Sequence, residues 1–548
     1  MKALALALGQ VLANRSVRHT QAGWFIATAA QWAYLVAVLV YAYEVGGVVA
    51  AGLATTIRML PAAISAPVTT MLADRLPPRL VLLGVHVGRA CAVGLVAIGI
   101  AAEVPAALVF LAVAIEGLIA TLHRPTTMTL LPALVRSPQE LIASNATFSA
   151  GEAIGVLVGP AVGGALLAVG GPLLGTAASS LAFLLAAVVV LGIEPVPRAP
   201  LPTADMSAPS RLTELTAGFR ALRAFPAAGI LIALISMQTM VRGVLTVLLV
   251  AVSVELLGLG TSGVGYLNAA IGAGALVGAF AAFTLVLRPR LAGPFSVGLA
   301  FWGIPILVLG LTAQPVVAFA SMAVVGLANA ILDVSGFSLI QRSVPNRLRG
   351  RVFGALESIT SLTFSIGSLL APVLVAMLGL QLALVVSGGL LPVLAVLSAT
   401  LVRRADAGAI VPHRQLELLR GVPMFAPLPM TVLEQLAGGL VAEQHDRGVD
   451  VIRQGEPGEG WYLIAAGSAD VLHDGERIAA LGAGDGFGEI ALLSDRPRTA
   501  TVSVSETLDV FRLPRCIFLE AVTGSPHALQ AGETLVAGRI AALGHADH

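Results

Sequence analysis

The chain has 548 residues, too many for one compact domain, and it is 57% hydrophobic and only 11% charged, with a mean hydropathy of +0.90. Soluble domains carry roughly 25% charged residues, so this composition excludes a disordered protein and, over most of the length, an ordinary water-soluble enzyme. The net charge of +1 conceals two unlike parts: residues 1–402 hold 20 Lys/Arg against 12 Asp/Glu, and residues 403–548 hold 12 Arg against 19 Asp/Glu. No clustered basic face marks a nucleic-acid partner. The two cysteines, Cys91 and Cys516, lie too far apart in sequence to form a disulfide framework or a metal-ligand spacing.

In chain order, apolar runs recur at intervals of about thirty residues, each near the 20 or so that a bilayer crossing needs. They fall near 20–43, 47–72, 80–101, 105–130, 143–169, 172–192, 226–255, 263–287, 294–313, 315–341, 352–379 and 381–402. This predicts an all-α polytopic membrane protein with twelve transmembrane helices in two six-helix bundles. The first run is too long for a cleaved signal peptide. With the N-terminus inside, the inner segments carry basic residues from Lys2 to Arg404. The outer connections, around 44–46, 102–104, 170–171, 256–262, 312–314 and 380, carry none. The positive-inside rule then puts both termini in the cytoplasm of a cell-membrane protein. The expected organisation is a first six-helix half over 1–192, a Pro-rich cytoplasmic loop over 193–225, a second half over 226–402, a linker over 403–415 and a further domain over 416–548.

The halves repeat weakly. Residues 128–146 (MTLLPALVRSPQELIASNA) and 337–355 (FSLIQRSVPNRLRGRVFGA) both run from an apolar helix through a basic, Pro-containing turn into a second helix. Six plus six spans with a repeated half is the plan of many secondary transporters. Three segments carry a resemblance to the major facilitator superfamily across about residues 10–402. LADRLPPR (72–79) is similar to its Asp-Arg loop motif, with Thr70 at the leading Gly position. GVLVGPAVGG (155–164) matches a pattern of its drug-antiporter branches. VPNRLRGRVFG (344–354) resembles the macrolide-efflux-like branch. The resemblance implies an inner gate held by Asp74, Arg75 and Arg79. In the second segment, Gly155, Gly159, Gly163 and Gly164 would clear one helix face for close packing, and Pro160 would bend the helix. In span four Glu116-Gly117 occupy the positions of the branch's Gln-Gly, and Val113 stands where its Arg would be.

Charged groups inside spans are costly and usually face a cavity or a partner. The candidates are Arg58, Glu116, Glu152, Arg242, Asp333 and Glu357. By resemblance, spans one, four, seven and ten line the central cavity, which favours Glu116, Arg242 and Asp333. Glu116 is the first candidate for a titrating carboxylate in a proton-coupled step. The competing reading is a buried Glu116–Arg58 pair that fixes helix packing. Gln31, Trp32 and Tyr34 are further candidates for cavity contacts. The apolar cavity fits a lipophilic small molecule rather than a sugar.

After Arg404 the texture changes to short β-like runs punctuated by Gly, the pattern of a β-barrel or jelly roll, with a final helical stretch near 526–543. The segment FGEIALLSDRPRTATV (487–502) resembles the phosphate-binding cassette of cyclic-nucleotide-binding domains, and 416–543 as a whole fits that family as a cytoplasmic β-roll with flanking helices. The resemblance implies a site of Phe487, Gly488, Glu489, Ile490, Ala491, Arg498, Thr499 and Ala500. Gly488 admits backbone N–H groups to the ligand. Glu489 accepts from the ribose 2′-OH. Ile490 and Ala491 open a short helix toward an anion. Arg498 clamps the cyclic phosphate with a two-point fork. The ligand is cAMP, with cGMP as the alternative because Thr499 can reach a purine amino group. Leu535, Val536 and Arg539 are candidates for a lid over the base.

The sequence therefore predicts a secondary transporter, an exporter of a lipophilic small molecule, regulated by a cytoplasmic cyclic-nucleotide domain. Its partners are membrane lipid, nucleotide, cargo and, as one candidate coupling ion, protons. Two alternatives stay open: a non-transporting nucleotide sensor or scaffold, and a lipid-translocating member. No nucleophile elbow, metal cluster or Walker-type loop is present, so neither an enzyme nor an ATP-driven pump is expected.

Overall fold

The computed structural model describes residues 13–135, 138–194, 225–283, 290–344, 346–408, 413–428, 430–494 and 496–544; over 62–75 it describes the backbone alone. The chain separates into two compact units, residues 1–409 and 410–548.

The first unit is helical: α1 (Arg15–Arg75), α2 (Pro78–Ala101), α3 (Ala106–Ala120), α4 (His123–Leu134), α5 (Pro138–Leu191), α6 (Pro226–Ala251), α7 (Ser262–Phe283), α8 (Ala292–Thr312), α9 (Pro315–Ser343), α10 (Asn346–Leu378) and α11 (Leu380–Gly408). A π-helical turn, Val252–Leu256, extends α6. Among the described residues, ten helices are long and apolar enough to cross a membrane. Two of these, α1 and α5, are 61 and 54 residues long, each more than twice the length of one crossing. Both break at a Gly-Gly pair. Gly47 has φ 59°, ψ −151° and Gly171 has φ 61°, ψ −162°. Only glycine adopts that region without strain, so the two GG dipeptides act as tight reversals. In α5 the break lies there; the backbone stays helical through Pro160, the position expected to bend it.

Helix pairing follows small residues. α1 packs on α5, α7 on α9, α8 on α11 and α6 on α10. The segment 155–164 serves two partners, which corrects the expectation of a single cleared face. A Cβ at Gly155 would lie 2.8 Å from Thr28 Cγ2, at Gly159 2.5 Å from the Ala29 carbonyl oxygen, and at Gly163 3.0 Å from Ala33 Cα, all on α1. At Gly164 it would lie 2.8 Å from the Ser262 carbonyl oxygen at the start of α7. That contact joins the first half of the unit to the second. So does the approach of Gly52 to the Ser368 carbonyl of α10, and so does the hydrogen bond from the Tyr43 hydroxyl to Glu255. These three contacts lie toward the end of the bundle that carries the Gly46-Gly47 and Gly170-Gly171 turns.

The second unit opens with α12 (His413–Gly421) and α13 (Met430–Gly439). Strands β1 (Val441–His445), β2 (Asp450–Ile452), β3 (Gly460–Ala466), β4 (Ala469–His473), β5 (Glu476–Leu481) and β6 (Gly486–Phe487) follow. After α14 (Glu489–Leu493) come β7 (Thr501–Val504), β8 (Leu508–Pro514), α15 (Arg515–Thr523) and α16 (Pro526–Gly544). The strands form two four-stranded antiparallel sheets, β1-β8-β3-β6 and β2-β7-β4-β5, a β-roll.

Strand β3 explains how roll and helices cohere. Side chains alternate along a strand, so Tyr462 and Ile464 point into the roll with Phe487, Val502 and Val504. Trp461 and Leu463 point out against Leu419, Phe425 and Phe518 of the helical segments. The Trp461 ring meets Phe425 edge-on at 5.0 Å and stacks on Phe518 at 6.0 Å. Both faces of β3 are therefore buried, and the run GWYLIAA is continuously apolar after its glycine.

Candidate functional sites

In the second unit, β6 runs into α14 through Gly488, whose φ of 93° makes it a left-handed helix cap. A Cβ there would lie 2.6 Å from Arg498 Nη1, so the guanidinium requires glycine at this position. Arg498 itself is 5% exposed. Its Nη1 donates to the Gly488 carbonyl and its Nη2 to the Gly460 carbonyl, each at 2.8 Å. Its backbone is pinned on both sides, N–H to Glu456 and carbonyl to the Gly455 N–H. Burial pushes the guanidinium pKa down, against the pull of Tyr462, Glu489 and Glu456. Two of its five N–H donors are used in these contacts.

Glu489, the first residue of α14, is 1% exposed. Its Oε1 accepts from Arg539 Nη1 of α16 at 2.7 Å, and its Oε2 is buried without a partner. Arg539 also donates to the Gly486 carbonyl at 2.8 Å. A cavity of about 430 Å³ is lined by Gln454, Gly455, His473, Ile490, Arg498 and Thr499, among others, a size suited to a small ligand. His473 Nδ1 lies 2.9 Å from the Thr499 carbonyl oxygen. Of the other residues expected here, Phe487 stacks on Tyr462 at 5.1 Å, and Ala491 and Ala500 are buried. None of these three lines the cavity; Phe487 packs into the interior of the roll. Of the three lid candidates, Arg539 is engaged with the cassette carboxylate, and Val536 is buried.

The arrangement fits a nucleotide monophosphate on two observations. One buried acceptor, Glu489 Oε2, is left over for a hydroxyl donor. One buried guanidinium, aligned by two carbonyls, keeps donors for an anion.

In the first unit, two buried arginines converge on buried Glu116. Arg58 Nε donates to its Oε2 at 2.9 Å; Arg89 Nε and Nη2 donate to its Oε1 at 2.9 and 2.7 Å. Side-chain exposure is 6% for Arg58 and 0% for Arg89 and Glu116. Arg89 Nη2 also donates to Gln31, and its guanidinium carbon sits 4.2 Å above the Phe183 ring. Glu116 is therefore the anion of a closed Arg–Glu–Arg cluster rather than a carboxylate facing an open cavity. The geometry corrects the expectation of a free titrating group, because both oxygens are occupied by guanidinium donors. Arg89 was missed by sequence reasoning, although its signal, an arginine inside an apolar run, was the same one that picked out Arg58. Tyr34 is fully buried, and Trp32 backs Gly159.

The second half of this unit is sparser. Asp333 on α9 is half-buried; its Oδ2 accepts from Asn329 Nδ2 at 2.8 Å, and Asn329 Oδ1 accepts from Trp302 Nε1 on α8 at 3.1 Å. Arg242 on α6 is exposed and within electrostatic reach of Asp333. Glu152 pairs with Arg124 at 3.3 Å on a more open surface. Arg79 donates to the Leu191 carbonyl at the end of α5, a contact within its own half. The side chains of Asp74 and Arg75 lie outside the described residues.

Residues 22–293 and 288–442 match the profile of the Major Facilitator Superfamily, and residues 443–524 match that of the cyclic nucleotide-binding domain. A cAMP-dependent protein kinase regulatory subunit of Yarrowia lipolytica is 40% identical over 97 residues, 17% of this chain and 26% of that protein. A cyclic nucleotide-gated potassium channel of Mesorhizobium japonicum is 34% identical over 113 residues, 21% of this chain and 31% of that one. Among solved structures, the regulatory domain of Toxoplasma gondii protein kinase A with cAMP is 25% identical, covering 26% of this chain and 55% of that one at a TM-score of 0.22. The chain spans about a quarter to a third of the length of these curated relatives. The helical unit and the β-roll each match a family profile, and the chain belongs to the Major Facilitator Superfamily, with a cyclic nucleotide-binding domain at its C-terminal side.

Proposed function

We propose that this protein is a twelve-span transporter that exports a lipophilic small molecule and is regulated by cAMP bound in the β-roll. The observation that carries the regulatory part is the pairing of Glu489 with Arg498 in one cassette, nine residues apart, both buried and each with hydrogen-bonding capacity left over. Arg498 would hold the cyclic phosphate, Glu489 the ribose hydroxyl, and Thr499 would border the base. The bound nucleotide supplies a negative phosphate and a sugar donor that satisfy these two groups. The relatives named for cAMP support that nucleotide over cGMP.

Export rests on the antiporter-like segment 155–164 and on an apolar bundle that holds Asp333 half-buried. Inner loops rich in Arg support cytoplasmic termini. In that orientation the contacts Gly164–Ser262 and Tyr43–Glu255 close the outer end of the bundle.

The test uses purified full-length protein. Calorimetry with cAMP and cGMP is expected to give saturable cAMP binding. Arg498→Ala removes at least two charge-assisted bonds of about 1.5 kcal/mol each, so affinity falls roughly 100-fold. Reconstituted vesicles loaded with ethidium then report transport with and without cAMP. Absence of binding, or equal binding by Arg498→Ala, overturns the nucleotide reading. Equal ethidium flux in protein-containing and empty vesicles counts against a lipophilic cargo of that kind.

A further inference from the structure

We propose that the Arg58–Glu116–Arg89 cluster holds a small monovalent anion of halide size, chloride being the probe, at the Nη1 edge of Arg89 and the hydroxyl of Tyr34. The proposal is independent of the nucleotide reading and of the identity of the cargo.

It starts from charge. Two guanidiniums and one carboxylate, none more than 6% exposed, leave a net charge of +1 inside the bundle. Among the described residues, the groups that act electrostatically on Arg89 are Glu116, Arg58 and Tyr34, so no second carboxylate balances the cluster. A buried charge is costly unless it is paired. A water molecule satisfies hydrogen bonds and leaves that charge standing. A monovalent anion satisfies the bonds and cancels the charge.

The hydrogen bonds point to the same place. A guanidinium has five N–H donors. Arg89 gives its Nε and Nη2 donors to Glu116 and Gln31. The Phe183 ring covers one face of its plane at 4.2 Å. The Nη1 edge is left over, and Nη1 is buried without a partner. So is the hydroxyl of Tyr34, a residue 0% exposed and within electrostatic reach of Arg58, Arg89 and Glu116. One turn before Arg89 on α2, His86 is also 0% exposed, with neither ring nitrogen partnered, and supplies a further buried N–H within reach of Arg89. Buried polar groups are normally satisfied. Unsatisfied donors beside an unbalanced positive charge match the chemistry of an anion.

Enclosure sets the size. Tyr34, Arg89 and Glu116 are all 0% exposed, which suits a halide and excludes the carboxylate headgroup of a bulky cargo. Tyr34 and Arg58 lie on either side of the Gly46-Gly47 reversal in α1, Arg89 lies on α2 and Glu116 on α3. The anion therefore ties both limbs of α1 to α2 and α3.

The experiment is thermal unfolding of the purified full-length protein in detergent, in sodium chloride or sodium gluconate at equal ionic strength, with equilibrium binding of radiolabelled chloride measured alongside. Gluconate screens surface charge equally and is too bulky for the enclosed site. Wild type is expected to bind the label saturably, and its midpoint to rise by about 2–3 °C for each tenfold increase in chloride above the dissociation constant. Tyr34→Phe keeps the charge and removes one donor, so its chloride affinity falls about tenfold or more. Glu116→Gln raises the net charge of the cluster by one, so its chloride-dependent shift exceeds that of wild type although its midpoint in gluconate is lower. Arg58→Met, Glu116→Leu and Arg89→Met combined leave no charge to balance and abolish both label binding and shift. Equal midpoints in the two salts with no label bound overturn the proposal. So does a chloride response that survives in the combined variant or is unchanged in Tyr34→Phe. Glu116→Gln losing stability equally in both salts makes the cluster a packing element alone and also overturns it. If Glu116→Gln does not fold, the wild-type and Tyr34→Phe titrations decide.

Discussion

Replacing Glu116 by Gln separates two roles for the buried carboxylate. Glu116 takes three hydrogen bonds of 2.7–2.9 Å from Arg58 and Arg89, and none of the three side chains is more than 6% exposed. The cluster carries a net charge of +1. Removing the carboxylate charge leaves two guanidiniums buried with no anion between them. Breaking a buried pair in this way costs about 3–5 kcal/mol, or two to three and a half decades in the folding equilibrium. The midpoint of thermal unfolding should fall by roughly 5–10 °C, since the shift per kcal/mol shrinks with size. The assay is thermal unfolding in detergent followed by size exclusion. A second variant checks the cause: Arg58→Met, Glu116→Leu and Arg89→Met combined should regain most of the stability, because apolar groups of similar volume remove the desolvation cost with the charges. An unchanged midpoint in Glu116→Gln refutes the structural role. If that variant also loses the pH dependence of ethidium transport, Glu116 is the titrating group after all.

Other outcomes follow from the same geometry. Gly159→Ala puts a methyl against the Ala29 carbonyl and Trp32 Cβ, an overpacking of about 1–3 kcal/mol; Gly84→Ala on α2 meets no atom within 4 Å and should be neutral or stabilising by up to about 1 kcal/mol. Thermal unfolding of the two variants side by side checks the contrast. Arg539→Ala leaves Glu489 buried without its cation. Arg539 is a third exposed, so the loss is about 1–2 kcal/mol after solvent screening, visible as faster amide exchange over 486–493; unchanged exchange there would make the pair idle. Asp333→Asn removes the half-buried acidic group beside Arg242 and should slow ethidium transport without lowering the unfolding midpoint. A large drop in the midpoint instead would make Asp333 a packing residue.

The cassette was legible because its chemistry is local. Gly488, Glu489 and Arg498 sit within eleven residues, and a turn, a short helix and a return loop fix their distances whatever surrounds them. The connections at 44–46 and 170–171 were legible as breaks between apolar runs, but that a Gly-Gly pair with a positive φ reverses the chain at each came from the structure. The role of 155–164 was half legible. Close packing could be read from the glycines, but not that Gly159 would face α1 while Gly164 faces α7, because adjacent helical positions point about 100° apart and the partner on each side is set by the bundle.

By itself, then, the sequence determined what depends on composition, period and short spacing. That covers the apolar helices, the basic character of one set of loops, the β-roll texture and the Glu489–Arg498 cassette. Tertiary structure decided the contacts between positions far apart in the chain. It closed Glu116 with two arginines, one of them Arg89; it turned Arg539 from a lid candidate into the partner of Glu489; and it set Asp406 as the cap of α8. These pairings are 27 to 115 residues apart. No local propensity encodes them. They arise because a buried charge or amide must find a partner, and only the packed helices determine which one is within reach.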